Sequence, residues 1–436
     1  MQKILVLAYF FPPCNLTASQ RAFGWARSLN KFGYYPIIIT RSWDNRITQP
    51  EDVFIKSGNG ITIKKEDGYE VHFMPYTPSI RDKIFMSKKK NIIFSLIRKL
   101  FSFSEIISYK FSNVFISYKN IYYQAKKILE SDRSINKMIV TANPYPMFKF
   151  GYLLKKEFNI KWIADYRDDW YTNILRYDLR KGYSSFSMAG FVRYFEKKSE
   201  LKWVTSASLI TSISEHYVDR ISTFLNVKGQ VLLNGFIKDD FRELKEEESE
   251  NFTIIYNGTL YDTQPIEDVL EAVKLFIDKN RDISLKVLFI GTSYVPEQEK
   301  RILAKAGQLN IIKYIEVTPR IPRTEVLRIQ KSTHILLMVL HKGSKGVSSS
   351  KLYEYLAIGK PVVSYPPDSD IVDETLNGYN LGYVCRSKEQ IVDVFESLFD
   401  KYLHGTYSKL IADKDYVDKF SRLNQTEILS NILSEL

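Results

Sequence analysis

The sequence predicts an α/β protein with two doubly wound domains, each built on a parallel sheet. Three observations lead to this prediction: the length of 436 residues, two series of apolar runs that alternate with helix-like segments, and an acidic polar stretch at 243–251 between the series. A chain of this length suits two domains of about 200 residues. Strands that alternate with helices favour parallel sheets covered on both faces.

The first series starts with a continuous apolar run at 4–10, which is typical of a strand buried on both faces. A helix is predicted over 19–32, where Gly33 ends it, and the next strand follows at 35–40. Further strands are predicted at 137–141, 161–165, 209–213 and 229–233. This series assigns residues 1–240 to the first domain.

The second series assigns residues 241–415 to the second domain, and a C-terminal helix within 416–436 is expected to cross back to the first. Its strands are predicted at 252–256, 285–291, 314–317, 335–339 and 361–365, with helices at 266–278 and 348–359. Ligands of doubly wound sheets bind at the carboxyl ends of the strands. We therefore expect the two Rossmann-like domains to face each other across a ligand-binding cleft.

Composition narrows the partners of the protein. A formal net charge of +12 indicates an anionic partner, yet no nucleic-acid-binding motif is present. Cys14 and Cys385 are the only cysteines, and the five histidines show no metal-ligand spacing, so we expect a reducing compartment and neither a metal nor another cofactor. No apolar run approaches the ~20 residues of a membrane-spanning helix, which favours a cytoplasmic protein.

Segment 83–110 interleaves basic and apolar residues at helical spacing. One interpretation is a helix that lies on an anionic membrane surface, which would make the protein peripheral on the inner face of the cell membrane. The other is a helix with an apolar face against the core and a solvated basic face. The sequence leaves both open.

The strongest local signal is the run 348–361, where three serines precede a short helix that Gly359 can end. A helix N-terminus after a loop binds anions through its free N–H groups and its dipole. Lys351 places a positive charge in the first turn, where the dipole disfavours it unless an anion is bound. Glu354, one turn later, is either a solvated helix residue or an acceptor for ligand hydroxyls.

The run 350–363 resembles the donor-nucleotide motif of the large family-four retaining glycosyltransferases, which have the GT-B fold. The resemblance implies that Glu354 holds the nucleotide ribose. It also implies that the helix start, with Ser349, Ser350 and Lys351, holds the diphosphate of the donor.

Two further matches concern the donor side. Residues 256–259 resemble the end of the first strand of the family's donor domain, which makes Gly258 and Thr259 expected donor-binding residues. Residues 234–236 resemble the crossing between the family's two domains.

The first domain carries the acceptor-side matches. Residues 10–13 together with Arg21 resemble the opening of the family, and the residues expected near the acceptor are Pro12, Pro13, Arg21 and Asn143. Residues 165–170 resemble an Asp-x-Arg-Asp-x-Trp signature of bacterial members that build surface polysaccharides. Asp165, Arg167 and Asp168 are therefore the candidate catalytic residues. A structural ion-pair cluster around the arginine is the equally weighted alternative.

The chain departs from the family pattern at two places. Gly346 stands where the family has the first of two acidic residues, the one that touches the donor sugar. The Arg and Lys that commonly follow the Gly-Thr turn are also missing after Thr259. Lys351 or residues of the loop before the donor helix are expected to compensate, and that loop supplies the candidates His341, Lys342, Lys345 and Gly346.

By resemblance, the expected reaction is retaining transfer of a hexose-type sugar from a nucleotide diphosphate sugar, a UDP-sugar by family preference. The expected acceptor is a glycan or a lipid-linked glycan, as in capsule or O-antigen assembly. Two alternatives remain: a nucleotide-sugar 2-epimerase of the same fold, and a non-catalytic partner that has lost donor chemistry. A nucleic-acid partner is not expected.

Overall fold

The computed structural model of the chain describes residues 1–43, 47, 50–86, 92–111, 116–173, 188–242, 244, 247, 249–281 and 283–436. They form two compact units: Met1–Leu233 with Gln425–Leu436, and Asn234–Asn424. Part of the predicted linker (243, 245–246 and 248) and part of the basic segment (87–91) lie outside the described residues.

The first unit is built on an eight-stranded sheet with the order β3-β4-β2-β1-β5-β6-β7-β8, in which every pair is parallel except the antiparallel hairpin β3–β4. Its strands are β1 (Gln2–Ala8), β2 (Tyr34–Arg41), β3 (Thr62–Glu66), β4 (Tyr69–Met74), β5 (Lys137–Ala142), β6 (Lys161–Tyr166), β7 (Leu209–Ser212) and β8 (Gly229–Val231). The chain builds outward from β1 in one direction and then restarts at β5 on the other side, so the order reverses between these two strands.

Helices cover both faces of this sheet and complete its core. They are α1 (Ser19–Ser28), α2 (Ile80–Met86), α3 (Ile92–Phe111), α4 (Asn120–Ser131), α5 (Met147–Phe158), α6 (Met188–Val204) and α7 (Glu215–Leu225). The five residues from Ile4 to Ala8 are completely buried, as the continuous apolar run predicts. The predicted helix 19–32 is α1 followed by a 3-10 turn at Leu29–Phe32, which Gly33 ends with φ of 85°.

The second unit contains a six-stranded parallel sheet with the order β11-β10-β9-β12-β13-β14. Its strands are β9 (Phe252–Asn257), β10 (Leu285–Ile290), β11 (Ile315–Thr318), β12 (Ile335–Val339), β13 (Val362–Tyr365) and β14 (Gly382–Val384). The order reverses between β9 and β12, and such switch points are where doubly wound sheets bind ligands. The predicted fold of two doubly wound α/β domains is confirmed.

The helices of the second unit connect these strands. They are α8 (Asp239–Arg242), α9 (Ile266–Lys279), α10 (Pro296–Gln308), α11 (Arg323–Lys331), α12 (Ser350–Ile358), α13 (Ile371–Asn377), α14 (Lys388–Leu403) and α15 (Lys414–Asp418). The last helix, α16 (Arg422–Glu435), has most of its length in the first unit, where Leu429, Ile432 and Leu433 join the buried core. Among the described helices, none is long and apolar enough to cross a membrane.

Glu200 on α6 is a fully buried carboxyl group that makes the stability of the first unit depend on pH. Its Oε1 accepts a hydrogen bond from the Tyr166 hydroxyl at 2.9 Å, and its Oε2 accepts one from the Tyr171 N–H at 2.9 Å. Burial raises the pKa of Glu200 from 4.5 to about 8. The folded chain therefore keeps a proton that the unfolded chain releases above about pH 4.5.

We expect stability to fall as pH rises from about 4.5 to about 8, with Glu200 contributing up to about 1.4 kcal/mol per pH unit. Glu200→Gln, which mimics the protonated form, should lose this slope. All five tryptophans lie in the first unit, so urea unfolding followed by tryptophan fluorescence at pH 5.5, 6.5 and 7.5 measures the effect. The control is Glu130→Gln, which changes an exposed carboxylate of the same unit. Equal slopes in Glu200→Gln and the unsubstituted protein would contradict the assignment.

Candidate functional site

The N-terminus of α12 is the center of the candidate site in the second unit. The Ser349 hydroxyl caps the helix by accepting a hydrogen bond from the Lys351 N–H at 3.3 Å. Gly359, with φ of 77°, ends the helix after nine residues. The local sequence thus places a capped helix start, with free backbone N–H groups, directly after the loop that follows β12.

Lys351 reaches the turn at the end of β9. Its ammonium group lies over the Tyr256 ring at 3.8 Å. Gly258 has φ of 111°, and a Cβ at this position would lie 3.6 Å from Lys351 Nζ, so the glycine both permits the turn and keeps this space open. Burial lowers the pKa of Lys351 to about 7, and the Glu354 carboxylate acts in the opposite direction. The structure therefore brings together Lys351 and Gly258, which are 93 positions apart.

Arg320 is a second cation at this turn, and sequence analysis missed it. Its Nη2 lies 3.4 Å from the Thr259 hydroxyl oxygen, and its guanidinium group lies over the Tyr294 ring at 3.8 Å. A Cβ at Gly291 would be 3.6 Å from Arg320 Cγ, so two glycine turns border the arginine. The signal was available: Arg320 follows the predicted strand 314–317 and so belongs to the same sheet edge as Gly258.

An ion-pair network fixes the carboxylate of Glu354. Its Oε1 accepts hydrogen bonds from Arg323 Nη2 at 2.8 Å and from Nε at 3.3 Å. Arg323 also donates to Asp240 at 2.6 Å. Oε2 of Glu354 makes no hydrogen bond within the part of the chain that the structure describes. The Glu354 side chain is 15% exposed and held in one orientation by Arg323. Its Oε2 is thus available to accept hydrogen bonds from ligand hydroxyls.

The loop after β12 supplies the other predicted candidates. His341 Nδ1 lies 2.6 Å from the Thr263 hydroxyl oxygen, and burial, with a smaller effect of Lys351, lowers the pKa of His341 to about 4. Lys342 and Lys345 are exposed and, among the described residues, form no ion pair. The Gly346 N–H donates a hydrogen bond to the Asp370 carboxylate. An acidic side chain therefore lies beside Gly346, which stands where the family pattern has an acidic residue.

A cavity of about 480 Å³ lies in the first unit at the carboxyl ends of β1 and β5, where the strand order reverses. Of the predicted first-unit candidates, Asn143 and Arg167 line this cavity, whereas Pro12, Pro13, Arg21, Asp165 and Asp168 are not part of its lining. The lining is rich in aromatic residues, of which Phe10 and Trp170 belong to the segments 10–13 and 165–170; the others are Tyr9, Phe54, Tyr76, Tyr118, Tyr145 and Trp203.

Asp165 belongs to a buried ion pair. Its carboxylate accepts hydrogen bonds from Arg21 Nη2 at 2.7 Å and Nε at 2.9 Å, and from the Thr211 hydroxyl at 2.8 Å. Arg21 also donates to two backbone carbonyl oxygens, those of Leu232 and Leu233. Both side chains are at most 2% exposed, so this pair connects α1, β6 and the segment after β8 instead of facing the cavity.

The remaining predicted residues differ from Asp165 in environment. Arg167 is half-buried and, within the described residues, forms no ion pair. The alternative of an ion-pair cluster around Arg167 is therefore wrong, because Asp165 pairs with Arg21 instead. Asp168 is half-buried beside Arg167. Among the described residues, no group of three or more His, Cys, Asp or Glu side chains is arranged to hold a metal ion.

Comparisons with known proteins agree with this architecture. Residues 237–412 match the family model described as "Glycosyl transferases group 1". No curated protein matches the sequence.

Solved structures match over the full length of the chain. Sucrose-phosphate synthase from Thermosynechococcus elongatus has 11% identity and a TM-score of 0.62, covering 100% of this chain and 99% of its own. The apo structure of OtsA has 10% identity and a TM-score of 0.66, covering 100% of both chains. Anabaena HepE, solved with UDP and glucose, has 10% identity and a TM-score of 0.59, again covering 100% of both chains. At these identities the likeness shows the fold alone, which is the GT-B fold.

Proposed function

We propose that this GT-B glycosyltransferase, whose residues 237–412 are a group 1 domain, transfers a hexose-type sugar from a UDP-sugar with retention of configuration. The proposed acceptor is a glycan or a lipid-linked glycan in surface-polysaccharide assembly. The protein would act in the cytoplasm, on the inner face of the cell membrane.

One observation carries the proposal: two cations and a capped helix start meet at the turn after β9. Lys351 lies beside Gly258, and Arg320 lies beside Thr259. A diphosphate bound there would accept hydrogen bonds from the N–H groups of α12 and charge-assisted bonds from both side chains. Glu354 Oε2 lies within the same helix and would accept the ribose hydroxyls.

This arrangement suits the chemistry of glycosyl transfer. Negative charge develops on the departing diphosphate while the sugar becomes oxocarbenium-like, and preorganised cations stabilise that charge. In a front-face reaction the leaving phosphate oxygen takes the acceptor proton, so no protein base is required. Because Lys351 and Arg320 meet the diphosphate charge, the proposal needs no metal ion and no other cofactor.

Two similar structures support the choice of UDP. Anabaena HepE was solved with UDP and glucose, and a trehalose-6-phosphate protein from E. coli was solved with UDP-2-fluoro glucose. A lipid-linked acceptor is supported by the apolar surface of α3, where Leu96 and Leu100 are at least half exposed. Phe191 and Tyr194 on α6 are also exposed, and α6 contacts α3 through the Phe103 and Phe191 rings.

The two alternative functions fit these observations less well. A 2-epimerase requires acid and base groups near the sugar, but His341, with a pKa of about 4, is deprotonated at physiological pH and cannot serve as the acid. Two features favoured a non-catalytic partner: Gly346 in place of an acidic residue, and the missing cations after Thr259. Arg320 places a guanidinium group at that turn from another strand, which answers the second of these features.

Calorimetric titration with UDP and GDP tests the proposal. We expect micromolar binding of UDP, weaker binding of GDP, and a loss of about tenfold in UDP affinity for Glu354→Gln, because a charge-assisted bond to the ribose disappears. Glu325→Gln on the exposed face of α11 is the matched control and should bind as the unsubstituted protein does. Absence of nucleotide binding, or unchanged UDP affinity in Glu354→Gln, would refute this assignment of the donor site.

A further inference from the structure

The ion pair between Arg323 and Glu354 engages only one oxygen of the carboxylate. Arg323 donates from Nη2 at 2.8 Å and from Nε at 3.3 Å, and both hydrogen bonds end on Glu354 Oε1. An arginine and a carboxylate that meet alone often form two parallel hydrogen bonds instead, which engage both oxygens. That arrangement would take up part of the capacity of Oε2 to accept hydrogen bonds from a ligand.

Asp240 on α8 holds the other side of the same guanidinium group. Its Oδ2 accepts a hydrogen bond from Arg323 Nη1 at 2.6 Å, and its side chain is 25% exposed. Nη1 is therefore committed to Asp240, while Nη2 and Nε face Glu354. One guanidinium group serves two carboxylates, so the three side chains keep a net negative charge and Glu354 is not neutralised by a cation of its own.

The place of Arg323 in its helix indicates that the two carboxylates hold its side chain. Arg323 is the first residue of α11, where the helix dipole disfavours a cation. None of the four residues of α8 is buried, so the contact with Asp240 adds no apolar packing. Partly exposed ion pairs contribute little to the free energy of unfolding as a rule. The orientation of Arg323 is thus the larger consequence of this contact.

We propose that Asp240 is a positioning residue of the donor site. It orients Arg323 so that Glu354 Oε2 stays open and charged for the ribose hydroxyls of the nucleotide, and it acts only through the guanidinium group. The inference rests on the proposed function, because it takes Glu354 as the residue that accepts these hydroxyls. It goes further by making the preference for a ribonucleotide depend on a residue 114 positions away from Glu354.

Two nucleotides separate a positioning role from general damage to the site. UDP and 2′,3′-dideoxy-UDP carry the same base and diphosphate, but only UDP has ribose hydroxyls for Glu354. In calorimetric titrations of the full chain, we expect UDP to bind at least about tenfold more tightly than the dideoxy compound. Asp240→Ala should lower this ratio to below about threefold by weakening UDP alone, because Lys351 and Arg320 lie at the Gly258 turn without contacting Asp240.

Asp239→Ala is the matched control. Asp239 is the neighbouring carboxylate of α8 and pairs with Arg242, and the two side chains are 49% and 75% exposed, so this variant should keep the full ratio. Asp240→Asn, which keeps the shape of the side chain and removes its charge, should lower the ratio in the same direction as Asp240→Ala. In the Glu354→Gln background, Asp240→Ala should have no further effect, because both substitutions act on the same oxygen.

The inference is overturned if the ratio is unchanged in both Asp240 variants, or if Asp240→Ala weakens the two nucleotides equally, as a merely structural residue would. It is also overturned if the effect of Asp240→Ala adds fully to that of Glu354→Gln. UDP binding that Glu354→Gln weakens and the Asp240 variants do not would leave the proposed donor site standing. Absence of UDP binding, or unchanged UDP affinity in Glu354→Gln, would overturn the donor site and this inference together.

Discussion

Replacing Lys351 by methionine is expected to weaken UDP binding by about 10- to 100-fold. A hydrogen bond to a charged group contributes roughly 1.5–3 kcal/mol, and each 1.4 kcal/mol corresponds to a factor of ten. Lys351 is positioned for such a bond because its ammonium group lies beside the Gly258 turn and over the Tyr256 ring. Methionine keeps most of the apolar contact with that ring and removes only the charge.

The pH dependence of UDP binding gives a sharper test of the same residue. Burial lowers the pKa of Lys351 to about 7, so much of the amine is neutral in the free protein above that pH. A bound diphosphate favours the charged amine and raises this pKa, so binding takes up a proton. UDP affinity should therefore fall as pH rises above about 7, by up to tenfold per pH unit. The terminal phosphate, with a pKa near 6, is already fully charged there.

Calorimetry between pH 7 and 9 measures this slope. Lys351→Met should show weak binding with a flat profile, and Lys351→Arg should bind with a flat profile because arginine stays protonated. His341, with a pKa of about 4, does not titrate in this range. Lys313→Met is the matched control, since Lys313 lies over the Tyr314 ring at 4.8 Å but is exposed. An unchanged slope in Lys351→Met would show that another group takes up the proton.

The strands that the sequence predicted share one property: apolar residues make up most of each run. Residues 4–10 and 335–339 contain such runs, and the structure buries Ile335–Val339 completely. Strand β3 escaped prediction because Thr62–Glu66 is exposed along its whole length and carries two lysines. An edge strand without a buried face leaves no hydrophobic pattern for sequence analysis to detect.

The candidate donor site was predictable where its parts follow strand ends. Gly258 directly follows β9, and Lys351 lies on the helix that follows β12. These two strands are neighbours at the switch point of the sheet, so the topology alone brings the segments after them together. Arg320 and Arg323 follow a predicted strand, which places them at the same edge of the sheet as Gly258, but nothing local in the sequence indicates that their side chains reach Thr259 and Glu354. Long side chains that cross between loops are set by tertiary packing, which no local pattern encodes.

The partner of Asp165 shows the same limit more clearly. Arg167 is two residues away in sequence, which suggested a local pair, but Arg167 lies beyond the end of β6, where the alternation of a strand no longer fixes the direction of its side chain. Arg21, separated by 144 positions, lies on α1, is buried, and is the cation that a buried carboxylate requires. The pairing of Asp165 with Arg21 follows from the burial of both side chains, and the sequence pattern does not show that a polar residue is buried.

Replacing Arg21 by methionine is accordingly expected to destabilise the first unit by about 3–5 kcal/mol, because Asp165 would remain buried without its cation. The measurement is urea unfolding followed by tryptophan fluorescence, which reports on the first unit. Arg21→Met combined with Asp165→Leu should recover most of the lost stability, since no unpaired charge is left. Lys3→Met, which breaks an ion pair of the same unit whose side chains are 49% and 28% exposed, should cost at most about 1 kcal/mol. If Arg21→Met lowers the free energy of unfolding by a similarly small amount, the guanidinium charge is not required to stabilise the buried Asp165 carboxylate.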